Sequence, residues 1–234
     1  MSDTVSYELR DRTAVIAIDD GKANALSFDV LAAINDGLDR ADADDAGAVV
    51  LQGRPGMLSG GFDLAVMRSG DAKATIGLVT TGAELVLRLY RSSRPIVAAC
   101  TGHAVAAGAL LLMGAHFRVG ADGAFRIFLI ETQNGMVLPD WAIEITKERL
   151  VGPHAQQAAI ESRIYDPAGA VAAGFLDRVV PADEIVDAAM ADAARLAALP
   201  AAAYAGNAAK VRAVGIERLA AAVAQDRAAV DALT

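Results

Sequence analysis

The chain opens on strict alternation. Val5, Tyr7 and Leu9 fall on one side of an extended segment, Arg10-Asp11-Arg12-Thr13 interrupts it, and Ala14, Ile16 and Ile18 resume the period of two, which predicts a β-hairpin over residues 5–18. The period then changes. After the loop Gly21-Lys22-Ala23-Asn24-Ala25-Leu26, Ser27 stands where a helix N-cap is expected, and Val30, Leu31, Ile34, Leu38 and Ala41 form one apolar stripe at helical spacing. Ala48-Val49-Val50-Leu51-Gln52 predicts a short buried strand, closed by the turn signals Gly53-Arg54-Pro55-Gly56.

Strand, small-residue bend and helix then recur. Residues 95–100 read as a strand, Thr101 to Gly108 as a bend, and Ala109 to Met113 as the start of a buried helix. Phe117-Arg118-Val119 and the run from Phe125 to Ile130 are extended again, and residues 141–150 and 154–162 are helical. A further helix ends at Gly174, a glycine C-cap, and residues 175–180 make the last strand. Beyond Pro181 only helical pattern remains, broken at Leu199-Pro200. The chain therefore divides into a strand-rich α/β core, residues 1–195, and a helical tail, residues 196–234, expected to pack on the core or on a neighbouring subunit.

Composition narrows the class. With 234 residues, 54% of them hydrophobic and 21% charged, the chain folds around a core and is not disordered. A net charge of −8 offers no basic field, so no nucleic-acid partner is expected. The start, with Asp3, Glu8 and Arg10, lacks the apolar segment of a signal peptide, and no uncharged apolar run reaches the roughly 18 residues of a membrane span. No membrane partner is expected either. Cys100 alone, in an apolar run, can neither staple a fold nor assemble a metal site, which points to a reducing, cytoplasmic compartment.

Two bends carry the candidate chemistry. In Leu58-Ser59-Gly60-Gly61-Phe62-Asp63-Leu64 a strand runs into a helix, so free backbone N–H groups emerge where negative charge is stabilised, and adjacent glycines admit a ligand to the main chain. Ala106-Ala107-Gly108 repeats the arrangement before an apolar helix. Two such donors on one oxygen would form an oxyanion hole. Other sites fail on spacing: there is no phosphate loop, no dinucleotide turn and no Gly-x-Ser-x-Gly elbow around Ser59. His103, His116 and His154 share no metal-ligand spacing, so no metal is expected, and His103 stands nearest the second bend. Glu131, between Phe128-Leu129-Ile130 and Met136-Val137-Leu138, has two readings. It is either an exposed carboxylate at a strand end or a partly desolvated one, whose pKa then rises toward the range of a useful base.

Taken together, Lys22 to Leu26, Ser59 to Leu64, Thr101 to Gly108, the Glu131 segment and Ala172 to Pro181 resemble, in this order, the crotonase superfamily of enoyl-coenzyme A hydratases and isomerases. The resemblance spans essentially the whole chain. It implies an α/β spiral of ββα repeats with a helical C-terminal trimerisation region, the assembly being a homotrimer or a hexamer of paired trimers. It also implies an acyl-coenzyme A thioester substrate, coenzyme A entering as part of that substrate and no separate cofactor being required. The thioester oxygen would meet the N–H groups of Phe62 and Ala107, and Glu131 would be the acid and base. Gly60, Gly61, Leu64 and Gly108 would shape the site, Asp63 would cap a helix and so position Phe62, and the adenine would lie against main chain at Ala23 to Leu26, Ala25 included. Lys22 and Arg54 are candidates to offset phosphate charge. Met67, Val86, Leu89 and Tyr90 read as core or as lining of an acyl tunnel.

Family hydratases carry a second glutamate where this chain has Leu110. Leucine cannot activate water. The segment Glu131-Thr132-Gln133-Asn134-Gly135 instead resembles that of the Δ3,Δ2-enoyl-coenzyme A isomerases, which keep one glutamate. Double-bond isomerisation in acyl-coenzyme A metabolism is the implied reaction. A hydratase with weakened hydration, a thioesterase and a non-catalytic acyl-coenzyme A binder are the alternatives.

Overall fold

The computed structural model of the chain describes residues 4–232. The predicted hairpin is β1 (Val5–Arg10) against β2 (Thr13–Ile18), antiparallel, with Tyr7 opposite Ile16. Ser27 caps α1 (Phe28–Ala43) as its hydroxyl accepts the Val30 N–H at 3.2 Å, and the stripe from Val30 to Ala41 is buried.

Strands then alternate between two sheets. β3 (Ala48–Gln52), β5 (Ile96–Cys100), β7 (Phe117–Ala121) and β9 (Arg178–Val180) extend the hairpin in parallel, giving the order β1-β2-β3-β5-β7-β9. Three strands that succeed them directly in the chain, β4 (Gly56–Ser59), β6 (Gly102–Val105) and β8 (Ile127–Phe128), form a second parallel sheet, β4-β6-β8. Each pair of strands leads into helix: α2 (Leu64–Met67) and α3 (Ala72–Tyr90), then α4 (Ala107–Gly114), then a 3₁₀ turn (Thr132–Asn134) and α5 (Asp140–Arg149). The chain thus winds as a spiral of strand pairs and helices.

Both faces of the large sheet are covered, which is why its central strands read as unbroken apolar runs. Val49, Leu51, Ile96, Ala98 and Cys100 join the core under α1, α3 and α4, whereas Ala48, Val50, Val97, Ala99 and Val119 face α8 (Ile185–Ala197) through Ile185, Ala189 and Ala193. After α6 (His154–Ala159), α7 (Pro167–Ala173) ends on Gly174 at φ +96°, as the glycine C-cap predicts. Leu199-Pro200 separates α8 from α9 (Ala201–Asp231), which packs along α3 and α5.

Several elements differ from the pattern. Phe175-Leu176-Asp177 is not strand: Phe175 and Leu176 drop into the core, and pairing begins at Arg178. The apparent bend 101–108 contains β6, because pairing with β4 and β8 needs little side-chain signal. Strand pairing after Phe125 covers only Ile127 and Phe128. The 195/196 division falls inside α8, which belongs to the sheet's second face.

Candidate active site

The two small-residue bends meet at one end of the spiral. Asn24, fully buried at φ +50°, fastens the first: its side-chain N–H groups donate to the carbonyls of Ile18, Met57 and Leu58 at 2.9–3.1 Å. Burial favours protonation of the Asp20 carboxyl, but the N–H groups of Lys22, Asn24 and Ala25 more than offset this and lower its pKa. The Gly60 N–H donates to Ala23 O at 2.8 Å, so the loop of Lys22, Ala23 and Ala25 lies beside the first bend.

Phe62 sits between two pairings with Leu26: the Leu26 N–H donates to Gly61 O at 2.8 Å and the Asp63 N–H to Leu26 O at 3.2 Å. That alternation turns the Phe62 N–H away from Leu26, and it has no partner among the described residues. Ala107 opens α4, where a helix start leaves its N–H unpaired, and here too no partner exists among the described residues. The bends touch. A methyl group on Gly61, at φ +102°, would lie 3.1 Å from Val105 O and 3.4 Å from the Ala107 nitrogen, so the close approach requires glycine. Ala106 takes φ +52°, ψ −125°, a strained backbone that aims the amide of the next residue. The Phe62 ring lies against Gly82 of α3, and Asp63 caps α2 by accepting the Ala65 N–H at 2.8 Å.

A cavity of about 470 Å³ opens at this junction. Gly60, Phe62, Leu64, Leu110 and Glu131 line it. Gly61 and Gly108 do not; Gly108 packs beneath, where a methyl group would meet Ser59 O at 2.2 Å. Lys22, Ala23, Ala25, Asp63 and Ala107 are also outside the lining, which Ala106 joins from the second bend, and Arg54 is committed to the main chain, its Nε donating to Lys22 O at 2.8 Å. Leu110 is 2% exposed. Of the four tunnel-or-core candidates, Val86, Leu89 and Tyr90 are core, while Met67 lines the cavity. His103 is not in the lining; its Nδ1 accepts the Arg126 N–H at 3.0 Å. Sequence reasoning missed Arg68, Val79, Asn134, Leu138 and Trp141 as lining residues; Ala106, Ile130, Met136, Val137 and Pro139 complete the wall. The Pro139-Asp140-Trp141 helix start was the signal available for Trp141.

Glu131 begins the 3₁₀ turn and is half-buried. Its Oε2 is sealed from solvent without a hydrogen bond. Desolvation raises the pKa above its ordinary 4.5, only partly opposed by the N–H groups of Glu131 and Ile130. Of the two readings of this residue, the structure has the desolvated one. Among the described residues no group of three His, Cys, Asp or Glu side chains is placed to hold a metal ion, and no helix is long and apolar enough to cross a membrane.

Parallel strands wound alternately into two sheets, with both bends brought to one cavity, define the crotonase class of fold. The sequence pattern of the enoyl-CoA hydratase/isomerase family matches residues 8–233, and the chain belongs to that family. It is similar to an enoyl-CoA hydratase/isomerase family protein of Pseudomonas syringae, at 44% identity with 97% of each chain covered and a TM-score of 0.93. It is also similar to an enoyl-CoA isomerase of Mycobacterium tuberculosis, at 38% identity, 97% and 99% coverage and a TM-score of 0.92. The human mitochondrial enoyl-CoA delta isomerase 1 is 31% identical over 191 residues, which are 80% of this chain and 63% of that protein. The chain spans 61–63% of the length of the first curated relatives it matches.

Proposed function

We propose that the protein binds an acyl-coenzyme A thioester and moves a double bond from C3–C4 to C2–C3. The observation that carries this reading is that Glu131 is the one carboxyl among the described residues lining the cavity, with Leu110 on the same wall. Hydration needs one group to deprotonate water and another to protonate carbon. Isomerisation takes a proton and returns it, so a single carrier suffices.

In the proposed sequence, the thioester oxygen accepts hydrogen bonds from the Phe62 and Ala107 N–H groups. Glu131 removes a C2 proton, the C2–H electron pair delocalises onto that oxygen, and the dienolate is stabilised by the two amides. The protonated Glu131 then delivers the proton to C4 as the double bond forms between C2 and C3. Coenzyme A leaves the cavity past Gly60 toward Ala23, and Lys22 is exposed near that path.

Glu131→Gln tests the assignment. Turnover of 3-enoyl thioesters falls by about 10²–10⁴, the usual contribution of a positioned acid-base group. Undiminished double-bond shift and hydration rates in that variant would rule the role out. In the parent, kcat/KM falls on the acid side with an apparent pKa above 4.5, since the base must be ionised. Scoring 2-enoyl and 3-enoyl thioesters together for hydration, double-bond shift and thiol release separates this reaction from hydration and hydrolysis.

A further inference from the structure

In a chain of net charge −8, the cavity wall carries one cation, Arg68, and its one acidic group is the proposed base, Glu131. Arg68 follows Met67 at the end of α2, where its backbone N–H donates to Leu64 O at 3.0 Å. The residue is exposed, and its guanidinium has no hydrogen bond, ion pair or ring contact among the described residues. The side chain is therefore free to reach a ligand in the cavity that it borders. It forms no ion pair with Glu131, whose carboxyl is shifted by desolvation and neighbouring N–H groups and not by this charge. The cation stands apart from the base.

Asn134 is the other polar side chain of the wall without a partner among the described residues. It lies three residues after Glu131 in the 3₁₀ turn, a spacing that puts both on one face, while Thr132 turns away to donate to Ala159 O at 2.9 Å. Asn134 thus adds a neutral amide on the side of the base. An anion in this cavity has one group to pair with, and that is Arg68.

In the proposed placement coenzyme A leaves past Gly60 toward Ala23, whereas Arg68 continues the wall that Met67 and Val79 offer to the acyl chain. We propose that the acyl group bound here ends in a carboxylate, which the Arg68 guanidinium grips through its planar fork of N–H donors. Arg68 is then a specificity residue, selecting carboxyl-ended acyl chains over uncharged chains of equal length. The inference rests on the proposed thioester placement, so its test is a binding measurement independent of turnover.

Saturated acyl-coenzyme A thioesters undergo no double-bond shift. Each chain length is prepared with a methyl, a carboxamide or a carboxylate end, and titrated by the fluorescence of Trp141, the sole tryptophan and a wall residue. At the length that reaches Arg68 the carboxylate binds about tenfold more tightly than the carboxamide, and added salt narrows the gap. In Arg68→Gln the ratio falls to about one; the side chain has no contact to lose, so the variant is expected to melt with the parent.

If no length favours the carboxylate over the carboxamide, or if the preference persists in Arg68→Gln, the inference is overturned. It is overturned equally if Arg68→Gln weakens every coenzyme A thioester alike and leaves pantetheine thioesters untouched, since Arg68 then serves a phosphate. Thioesters that bind but are not turned over count against the proposed reaction alone. A chain that binds no thioester of any kind sinks both.

Discussion

Glu131 shows what a single position costs and supplies. Its carboxyl is partly desolvated and one oxygen has no partner, so the charged form is disfavoured in the folded chain. A folded-state pKa above the unfolded one means that, at neutral pH, ionised Glu131 destabilises the fold, and that this penalty disappears below the unfolded value of about 4.5. Glu131→Gln is therefore expected to have a higher Tm than the parent at pH 7 and to lose that advantage by pH 4, even as turnover collapses. Scanning calorimetry at both pH values checks it. In the sequence, the apolar neighbours of Glu131 were visible but their side-chain directions were not, which is why pattern alone leaned to the exposed reading. The same holds for Ala106. An alanine in a small-residue bend looks ordinary until the fold supplies a φ of +52°.

At the scale of elements, patterns with one buried face were legible and those buried from several sides were not. α1 shows a clean stripe against the sheet, and α3 buries Leu78, Ala83, Leu85, Val86, Leu87 and Leu89 against α1, α4 and α9 together. Gly174 was readable as a helix stop from its residue type. The course of the chain from Phe175 to Asp177 was not. Arg118, 5% exposed on β7, binds Asp177 through Nε, Nη2 and its own backbone N–H at 2.7–3.1 Å, and donates through Nη1 to Gly174 O at 2.9 Å. This pair clamps the segment before β9 to the large sheet. Asp177→Ala leaves a buried guanidinium without its counter-charge, and the expected loss is about 3 kcal/mol in urea unfolding. A loss under about 0.5 kcal/mol would place the clamp elsewhere.

For the molecule as a whole, the start of α9 is the joint between core and tail. His116 is half-buried beside it, with Nδ1 and the Tyr204 hydroxyl 2.9 Å apart and Nε2 3.1 Å from Leu89 O. Burial, reinforced by the Arg212 and Arg149 charges, pushes its pKa down to about 3 from 6.5. Below pH 6.5 the unfolded chain therefore binds a proton that the folded chain refuses. Stability from this group is complete above that pH and declines toward pH 3, with a slope of up to about 1.4 kcal/mol per pH unit. His116→Gln should flatten the parent's decline between pH 6 and 4 in urea titrations; parallel curves would exclude the imidazole as its cause. Past this joint α9 exposes Val211 and Val214, 83% and 59% accessible, beside Leu199. We propose that trimers form through this tail, and light scattering should then return three times the chain mass of 24.1 kDa.

The sequence by itself determined the hairpin, the α/β alternation, the two small-residue bends and the break before α9, because each is written in local period or residue type. Only the tertiary structure decided that both bends face one cavity and that Gly61 and Gly108 serve packing rather than lining. Those facts depend on which distant segments meet. Contact between segments far apart in the chain arises from the winding of the strands between two sheets, and no local pattern encodes its result.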